Sequence, residues 1–214
     1  MAAALIPVKS LRDGKSRLAG TLTAEERHRL SLAMLDDVLD ATLSAGLWPI
    51  VVISADPDVL SAATAGGARG LVEPRGRRGL NAAIEHGLDV LQRHGVEEVV
   101  VLLPDVPTVE AGDLQAIADL LAEHQVVVVP SNDGGTNALG LRLPAVIRPI
   151  YGPDSAARHS EAAWLAEVFV AVRNFDSLKA DVDDPGDIEQ FLLGGRGRKT
   201  RQALADTSCG TAVA

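Results

Sequence analysis

Val99-Val-Val-Leu-Leu-Pro-Asp-Val-Pro107 is the stretch whose reading decides the fold. It opens with apolar residues that do not alternate with polar ones, the pattern of a strand buried on both faces of a parallel sheet. A carboxylate, Asp105, then stands between Pro104 and Pro107. The two prolines fix the backbone, withdraw amide donors and stop the strand. Asp105 therefore falls where the chain leaves the core, at the carboxyl edge where open α/β sheets bind ligands. The plainer alternative has Asp105 capping the next helix, for which Thr108 is the better starter. The ligand-binding reading is carried forward.

Working outward, Ala4–Val8 reads as a short strand ending at Lys9. The loop Lys9-Ser-Leu-Arg-Asp-Gly-Lys-Ser-Arg-Leu18 then gathers four basic side chains around Gly14. Thr23-Ala-Glu-Glu26 has capping-box spacing and predicts a helix to about Ala45. Leu30, Met34, Leu35, Val38 and Leu39 form its apolar stripe, and Gly46 follows as its cap. Strand Pro49–Ser54, helix Pro57–Ala65 and strand Gly70–Glu73 come next. A basic, glycine-rich loop, Glu73–Gly79, leads into helix Leu80–Arg93.

Beyond the central strand lie helix Ala111–Glu123 and strand Val126–Pro130. Ser131-Asn-Asp-Gly-Gly-Thr-Asn137 is a polar turn, and Ala138–Leu143 reads as a returning strand. Helix Ser155–Ala166, strand Val168–Arg173 and a short helix through Leu193 complete the pattern. Such alternation predicts an α/β fold: a mixed, mostly parallel sheet between helices, with one antiparallel insertion. Residues 1–193 form the single domain expected. Residues 194–214 lack apolar periodicity and read as a flexible C-terminal tail.

The totals agree. With 47% apolar but only 3% aromatic residues, 214 residues can fill a core that is aliphatic. No apolar run suits a bilayer, and the first residues lack a signal-peptide pattern. The lone Cys209 argues against a disulfide framework or thiolate metal site. A cytoplasmic protein is expected. A net charge of −9 disfavours nucleic-acid partners.

Two carboxylates, Asp105 and Asp183, are the candidate metal pair, since hard cations such as Mg²⁺ or Mn²⁺ take carboxylate oxygens. Asp181, Asp184 and Asp187 compete with Asp183, but helix capping with Pro185 at the first helical position accounts for Asp184 and Asp187. Lys9, Lys15 and Arg17 suit a polyphosphate, Arg as a fork and Lys as a point charge. Taken alone, this loop reads better as a solvated basic segment before a helix. Gly134-Gly-Thr-Asn137 offers amides and two polar side chains to an anion. Tyr151-Gly-Pro-Asp-Ser155 places Gly152 and Ser155 at a helix N-terminus, an anion-friendly place. His159 could reach an anion, but reads better as a surface helix residue.

Taken in order, Pro7-Val-Lys9 with Lys15-Ser-Arg-Leu18, Gly79-Leu-Asn81, Pro104-Asp-Val-Pro107, Gly135-Thr-Asn-Ala-Leu139, Gly152-Pro-Asp-Ser155 with Arg158-His159, and Asp181-Val-Asp183 resemble the 2-phospho-L-lactate guanylyltransferase family. That family includes phosphoenolpyruvate-using members of coenzyme F420 biosynthesis. The resemblance spans about residues 4 to 193. It implies a single-domain, GT-A-like (Rossmann-like) nucleotidyltransferase joining GTP to a phosphorylated three-carbon acid and releasing diphosphate. It further implies Mg²⁺ or Mn²⁺ at Asp105 and Asp183, with Lys9, Lys15 and Arg17 facing the triphosphate. Gly79 and Asn81 would lie near the nucleoside, and Asn137, Gly152 and Ser155 near the phospho-acid. Phosphoenolpyruvate users often carry Thr where Asn137 stands, which leaves phosphoenolpyruvate, 2-phospho-L-lactate and 3-phosphoglycerate open. The partners implied are small molecules, with neither nucleic acid nor membrane, and there is room for a homodimer.

Three rivals remain at this stage. A molybdenum-cofactor guanylyltransferase would open with a more glycine-rich first loop. A sugar transferase would show Asp-x-Asp where Pro107 stands. A noncatalytic ligand-binding module would have less need of the added strands.

Overall fold

The computed structural model describes residues 1–11, 15–74, 76, 79–194 and 196–207. The expectations for Arg12, Gly14, the arginines of the 73–79 loop and Cys209 lie outside these residues. The central strand, β4 (Glu98–Leu102), has a partner on each side: β1 (Ala3–Pro7) in parallel, and β6 (Thr136–Arg142) antiparallel. With β2 (Ile50–Ser54), β3 (Arg69–Val72), β5 (Val126–Pro130) and β7 (Val170–Val172), they form one sheet ordered β3-β2-β1-β4-β6-β5-β7. β6 runs antiparallel to both neighbours, while β5 and β7 pair in parallel. The expected antiparallel return strand is therefore present, inserted between β4 and β5.

Helices cover both faces, which explains why β4 shows no alternation. Val100 and Leu102 pack in one buried cluster with α1 (Ala24–Ser44), α2 (Pro57–Ala65) and α4 (Ala111–Leu120). Val99 and Val101 pack in the other with α3 (Leu80–Arg93) and α5 (Ser155–Leu165). Full burial of each such aliphatic side chain contributes about 1.5–3 kcal/mol. Thr23 and Glu26 form the predicted capping box of α1. No helix among the described residues is long and apolar enough to cross a membrane.

α3 lies so close to β1 that a Cβ at Gly87 would stand 2.6 Å from Leu5 Cδ1 and 2.7 Å from Cδ2. Leu5 is itself fully buried and has little room to move. Gly87→Ala gains up to about 1 kcal/mol of helix propensity, but overpacking costs about 1–3 kcal/mol. We expect a net loss of roughly 1 kcal/mol in urea unfolding at pH 7. An unchanged midpoint would mean that Leu5 repacks freely.

The capping alternative for Asp105 is excluded, and one expectation is corrected. α4 starts at Ala111, with Glu110 in the cap position, so Asp105 does not cap it. Thr108 does not start it either; its hydroxyl donates to the Ser177 carbonyl at 2.8 Å. Nor is the segment after Gly194 wholly a loose tail. Following α6 (Pro185–Gly194), residues Arg198–Ala205 form α7. Its first amides, those of Lys199 and Thr200, donate to the Asp37 carboxylate of α1 at 3.0 and 2.8 Å. Leu204 joins a third buried cluster with Leu18, Leu30, Met34, Val182 and Phe191. The cap comes from another helix and the apolar face is a single leucine, so the local sequence carries no signal for α7.

Candidate active site at the carboxyl edge of the sheet

Beyond the end of β4, the amide of Val182 donates to the backbone carbonyl of Asp105 at 3.0 Å. That bond ties the segment before α6 to the edge of the central strand. Neighbouring side chains of an extended segment point to opposite sides. Val182 turns into the third buried cluster, and Asp181 and Asp183 face the other way. Their carboxylates meet that of Asp105, with one oxygen from each within 4.8 Å of the others. Asp184 and Asp187 do what capping predicts: the Asp187 carboxylate accepts from the amides of Asp183 and Asp184, each at 2.8 Å, and Asp184 accepts from the amide of Asp187.

Lys15 enters this acidic group. It sits in the left-handed region, φ 52° and ψ 42°, just before a 3-10 turn, Ser16–Leu18, that the buried Leu18 anchors. Its Nζ lies 3.2 Å from Asp105 Oδ2 and 2.5 Å from Asp183 Oδ1, with its side chain only 9% exposed. Burial alone would push the ammonium pKa down. Asp105 and then Asp183 outweigh it, so the pKa is raised and the proton is held. Asp181 is different: burial, then the charge of Asp105, pushes its carboxyl up to about 6. One carboxylate oxygen, Asp105 Oδ1, is buried without a hydrogen-bond partner among the described residues. A buried orphan acceptor is costly unless something supplies a positive charge. Three converging carboxylates with one such oxygen fit a hard divalent cation of the Mg²⁺ or Mn²⁺ type.

A cavity of about 380 Å³ opens in front of the acids. Lys9, Lys15 and Arg17 all line it, as do Asp105, Asp181 and Asp183, so the structure brings the expected cations and carboxylates together. Lys9 and Arg17 are exposed at the rim. Leu80 also lines the cavity, and its neighbours Gly79 and Asn81 flank the start of α3. Gly79 has φ 103°, a conformation open to glycine at little cost. Asn81 clasps the backbone of Tyr151, its Oδ1 accepting from the amide at 2.7 Å and its Nδ2 donating to the carbonyl at 3.1 Å.

The remaining expected residues group around the start of α5, apart from the residues lining the cavity. In the turn before β6, the amides of Gly134 and Gly135 are engaged locally, by the Ser131 carbonyl and the Asp133 carboxylate. Its two polar side chains face inward. Asn137 donates to the Leu178 carbonyl at 2.9 Å, and Thr136 accepts from Ser155 Oγ at 3.0 Å. Ser155 is buried and Gly152 exposed, the latter with φ 132°. The hydroxyl of Ser131 and the Gly135 amide hold the Asp133 carboxyl below its usual range, with Arg17 adding to this. Asp133 in turn acts on Asp181, so this turn borders the acidic group.

His159 is corrected outright. It is fully buried, not on the surface. Its Nε2 accepts from the amide of Ile150 at 2.8 Å, which leaves Nδ1 as the protonated nitrogen facing Thr136 Oγ1 at 3.1 Å. Burial, and then Arg158, bring its pKa down to about 4. Thr136, expected to offer its side chain to an anion, instead bonds His159 and Ser155, and Asp181, expected as a rival to Asp183, is a member of the group. The Asp-Val-Asp alternation around an apolar residue was the signal available for Asp181. The partners of His159 lie in other elements and gave none.

A family model described as "Guanylyl transferase CofC like" matches residues 2–211. The chain is 35% identical over 190 residues to a phosphoenolpyruvate guanylyltransferase of Sphaerobacter thermophilus, covering 88% of this chain and 91% of that one. It is 37% identical over 211 residues to a 3-phospho-D-glycerate guanylyltransferase of Phenylobacterium zucineum, covering 96% of each. A nucleotidyl transferase structure from Methanothermobacter superposes with a TM-score of 0.66 at 15% identity, covering 94% of this chain and 99% of that one.

Proposed function

The chain belongs to the CofC-like guanylyl transferase family, and from that premise we propose that it joins GTP to a phosphorylated three-carbon acid in coenzyme F420 biosynthesis. The acceptor is phosphoenolpyruvate, 2-phospho-L-lactate or 3-phosphoglycerate. The observation that carries this reading is the convergence of Asp105, Asp181 and Asp183, with an unpartnered buried oxygen, on a cavity lined by Lys9, Lys15 and Arg17.

In the proposed reaction an oxygen of the acceptor's phosphate attacks the α-phosphorus of GTP. The bond to the β-phosphate breaks and diphosphate leaves. The attacking oxygen is already ionised near neutral pH, so no general base is needed. His159, the buried histidine, has both ring nitrogens engaged and is not cast as one. Catalysis is then alignment and charge neutralisation. Asp105 and Asp183, with Asp181, would hold Mg²⁺ or Mn²⁺. When bound, the ion neutralises charge on the phosphates and steadies their geometry.

Lys9, Lys15 and Arg17 face the triphosphate in this reading. Gly79 and the uncapped start of α3 border the nucleoside. Gly152 and the first turn of α5, opened by Ser155, receive the phospho-acid. Asn81, near the nucleoside, and Asn137, near the phospho-acid, shape these walls through their bonds to Tyr151 and Leu178.

Diphosphate release from purified protein tests the reading, with GTP or ATP, each of the three acids, and Mg²⁺ or EDTA. GTP-specific, Mg²⁺-dependent release with one acid is the expected result and names the acceptor. Silence with all three acids, from folded protein that still binds GTP, would overturn the acceptor class.

A further inference from the structure

Lys15 occupies the place that the proposed reading gives to a metal ion. Its ammonium takes Asp105 Oδ2 at 3.2 Å and Asp183 Oδ1 at 2.5 Å. Those two residues, with Asp181, are also the ones whose oxygens converge as candidate ligands. The ammonium is well buried there and leaves Asp105 Oδ1 without a partner. A monovalent point charge thus satisfies only part of a three-carboxylate group. A divalent ion needs direct contact with carboxylate oxygens at about 2.0–2.1 Å, and an ammonium seated on Asp105 Oδ2 and Asp183 Oδ1 competes with it for that pair.

We propose that Lys15 is the metal site's own placeholder cation: it holds Asp105 and Asp183 together until a divalent ion enters, and is then released into the cavity. The proposal rests on the metal-dependent reading above and adds an exchange of two cations on one carboxylate pair. The four-carbon stem and rotatable ammonium of lysine suit such a move better than a rigid guanidinium fork. Lys15 lines the same cavity as Lys9 and Arg17, so the released charge stays among the groups that face a polyphosphate. Entry of the ion and positioning of Lys15 on the phosphates become one event. Until then Asp105 and Asp183 are kept from repelling each other. The free ion binds more weakly than the carboxylates alone would allow, because it competes with an internal cation.

Two measurements test this without turnover. In Mn²⁺ titrations without nucleotide, followed by electron paramagnetic resonance, Lys15→Gln should bind Mn²⁺ about tenfold more tightly than wild type. Apparent affinity falls by the fraction of molecules whose site is closed. In the unaltered protein, reductive methylation of Lys15, read by mass spectrometry, should accelerate several-fold on adding Mg²⁺ at constant ionic strength. Equal or weaker Mn²⁺ binding by Lys15→Gln, or a labelling rate indifferent to Mg²⁺, overturns the exchange. If wild type nevertheless binds Mn²⁺ and Asp105→Asn does not, the metal reading survives without it. If wild type binds no more Mn²⁺ than Asp105→Asn does, the metal reading falls and the exchange falls with it.

Discussion

Asp105→Asn is expected to lower diphosphate release by roughly a thousandfold at saturating Mg²⁺ while leaving the protein folded. Removing one preorganised electrostatic contact from a transition state costs on the order of a hundred to a thousandfold. Asp105 stands at the upper end of that range, because it loses its charge as well as a contact, and its unpartnered, buried Oδ1 is the oxygen that fits the ion. The fold should tolerate the change. What ties the 181–183 segment to β4 is the Asp105 backbone carbonyl, which asparagine retains. Circular dichroism and a melting temperature within a few degrees of wild type would establish that the loss is chemical, and initial rates would give its size. Full activity in this variant would sink the assignment of Asp105 to the metal.

The second large effect concerns stability in acid. His159 is buried as a neutral ring with both nitrogens engaged, and its pKa is brought down to about 4 from 6.5 by burial and then Arg158. Between those values the unfolded chain binds a proton that the folded protein does not, so stability rises with pH across that window. The contribution is complete above about pH 6.5 and is lost progressively as pH falls toward 4. At about 1.4 kcal/mol per unit it amounts to roughly 3 kcal/mol. His159→Gln removes the titration, and at pH 7 should cost about 1–3 kcal/mol by disturbing the bonds to Ile150 and Thr136. Urea unfolding of both proteins at pH 7, 5.5 and 4.5 isolates the effect, because the carboxylates common to both largely cancel. Wild type should lead at pH 7 and lose that lead as the medium becomes acid. A constant difference would show that His159 is not held neutral. The same bonds, through Thr136 to Ser155, brace the start of α5, so the variant also probes how firmly the proposed acceptor site is built.

Much of this was legible without coordinates. The bounds of α2, α3 and β5 match those read from the residues, because their signals are local: an Asp-Pro start, a strong apolar face, an unbroken valine run. Asp105 was legible for a related reason, since a charge between prolines at the end of a buried strand has few structural uses. The ordered motifs then carried the family, which the comparisons bear out over residues 2–211.

Other features depend on partners far away in sequence. The capping role of Asp184 and Asp187 is local and was foreseen, but the pairing of Asp181 with Asp105 needs the Val182–Asp105 backbone bond across the fold. Lys15 looked like one of several solvated cations until the chain wrapped it between two carboxylates. α7 looked like tail because its cap, Asp37, belongs to α1. His159 looked exposed because its neighbours Arg158, Ser160 and Glu161 are polar, and only the packing of Tyr151, its ring centroid 5.2 Å away, and of the β6 turn closes over it.

By itself the sequence determined the order and type of most elements, the α/β class and the acid at the sheet edge, since periodicity, capping and proline act within a few residues. Only the tertiary structure decided strand order, which cations meet which carboxylates and which polar groups are sealed from water. Those outcomes depend on contacts between residues up to 168 positions apart, and no local pattern encodes them.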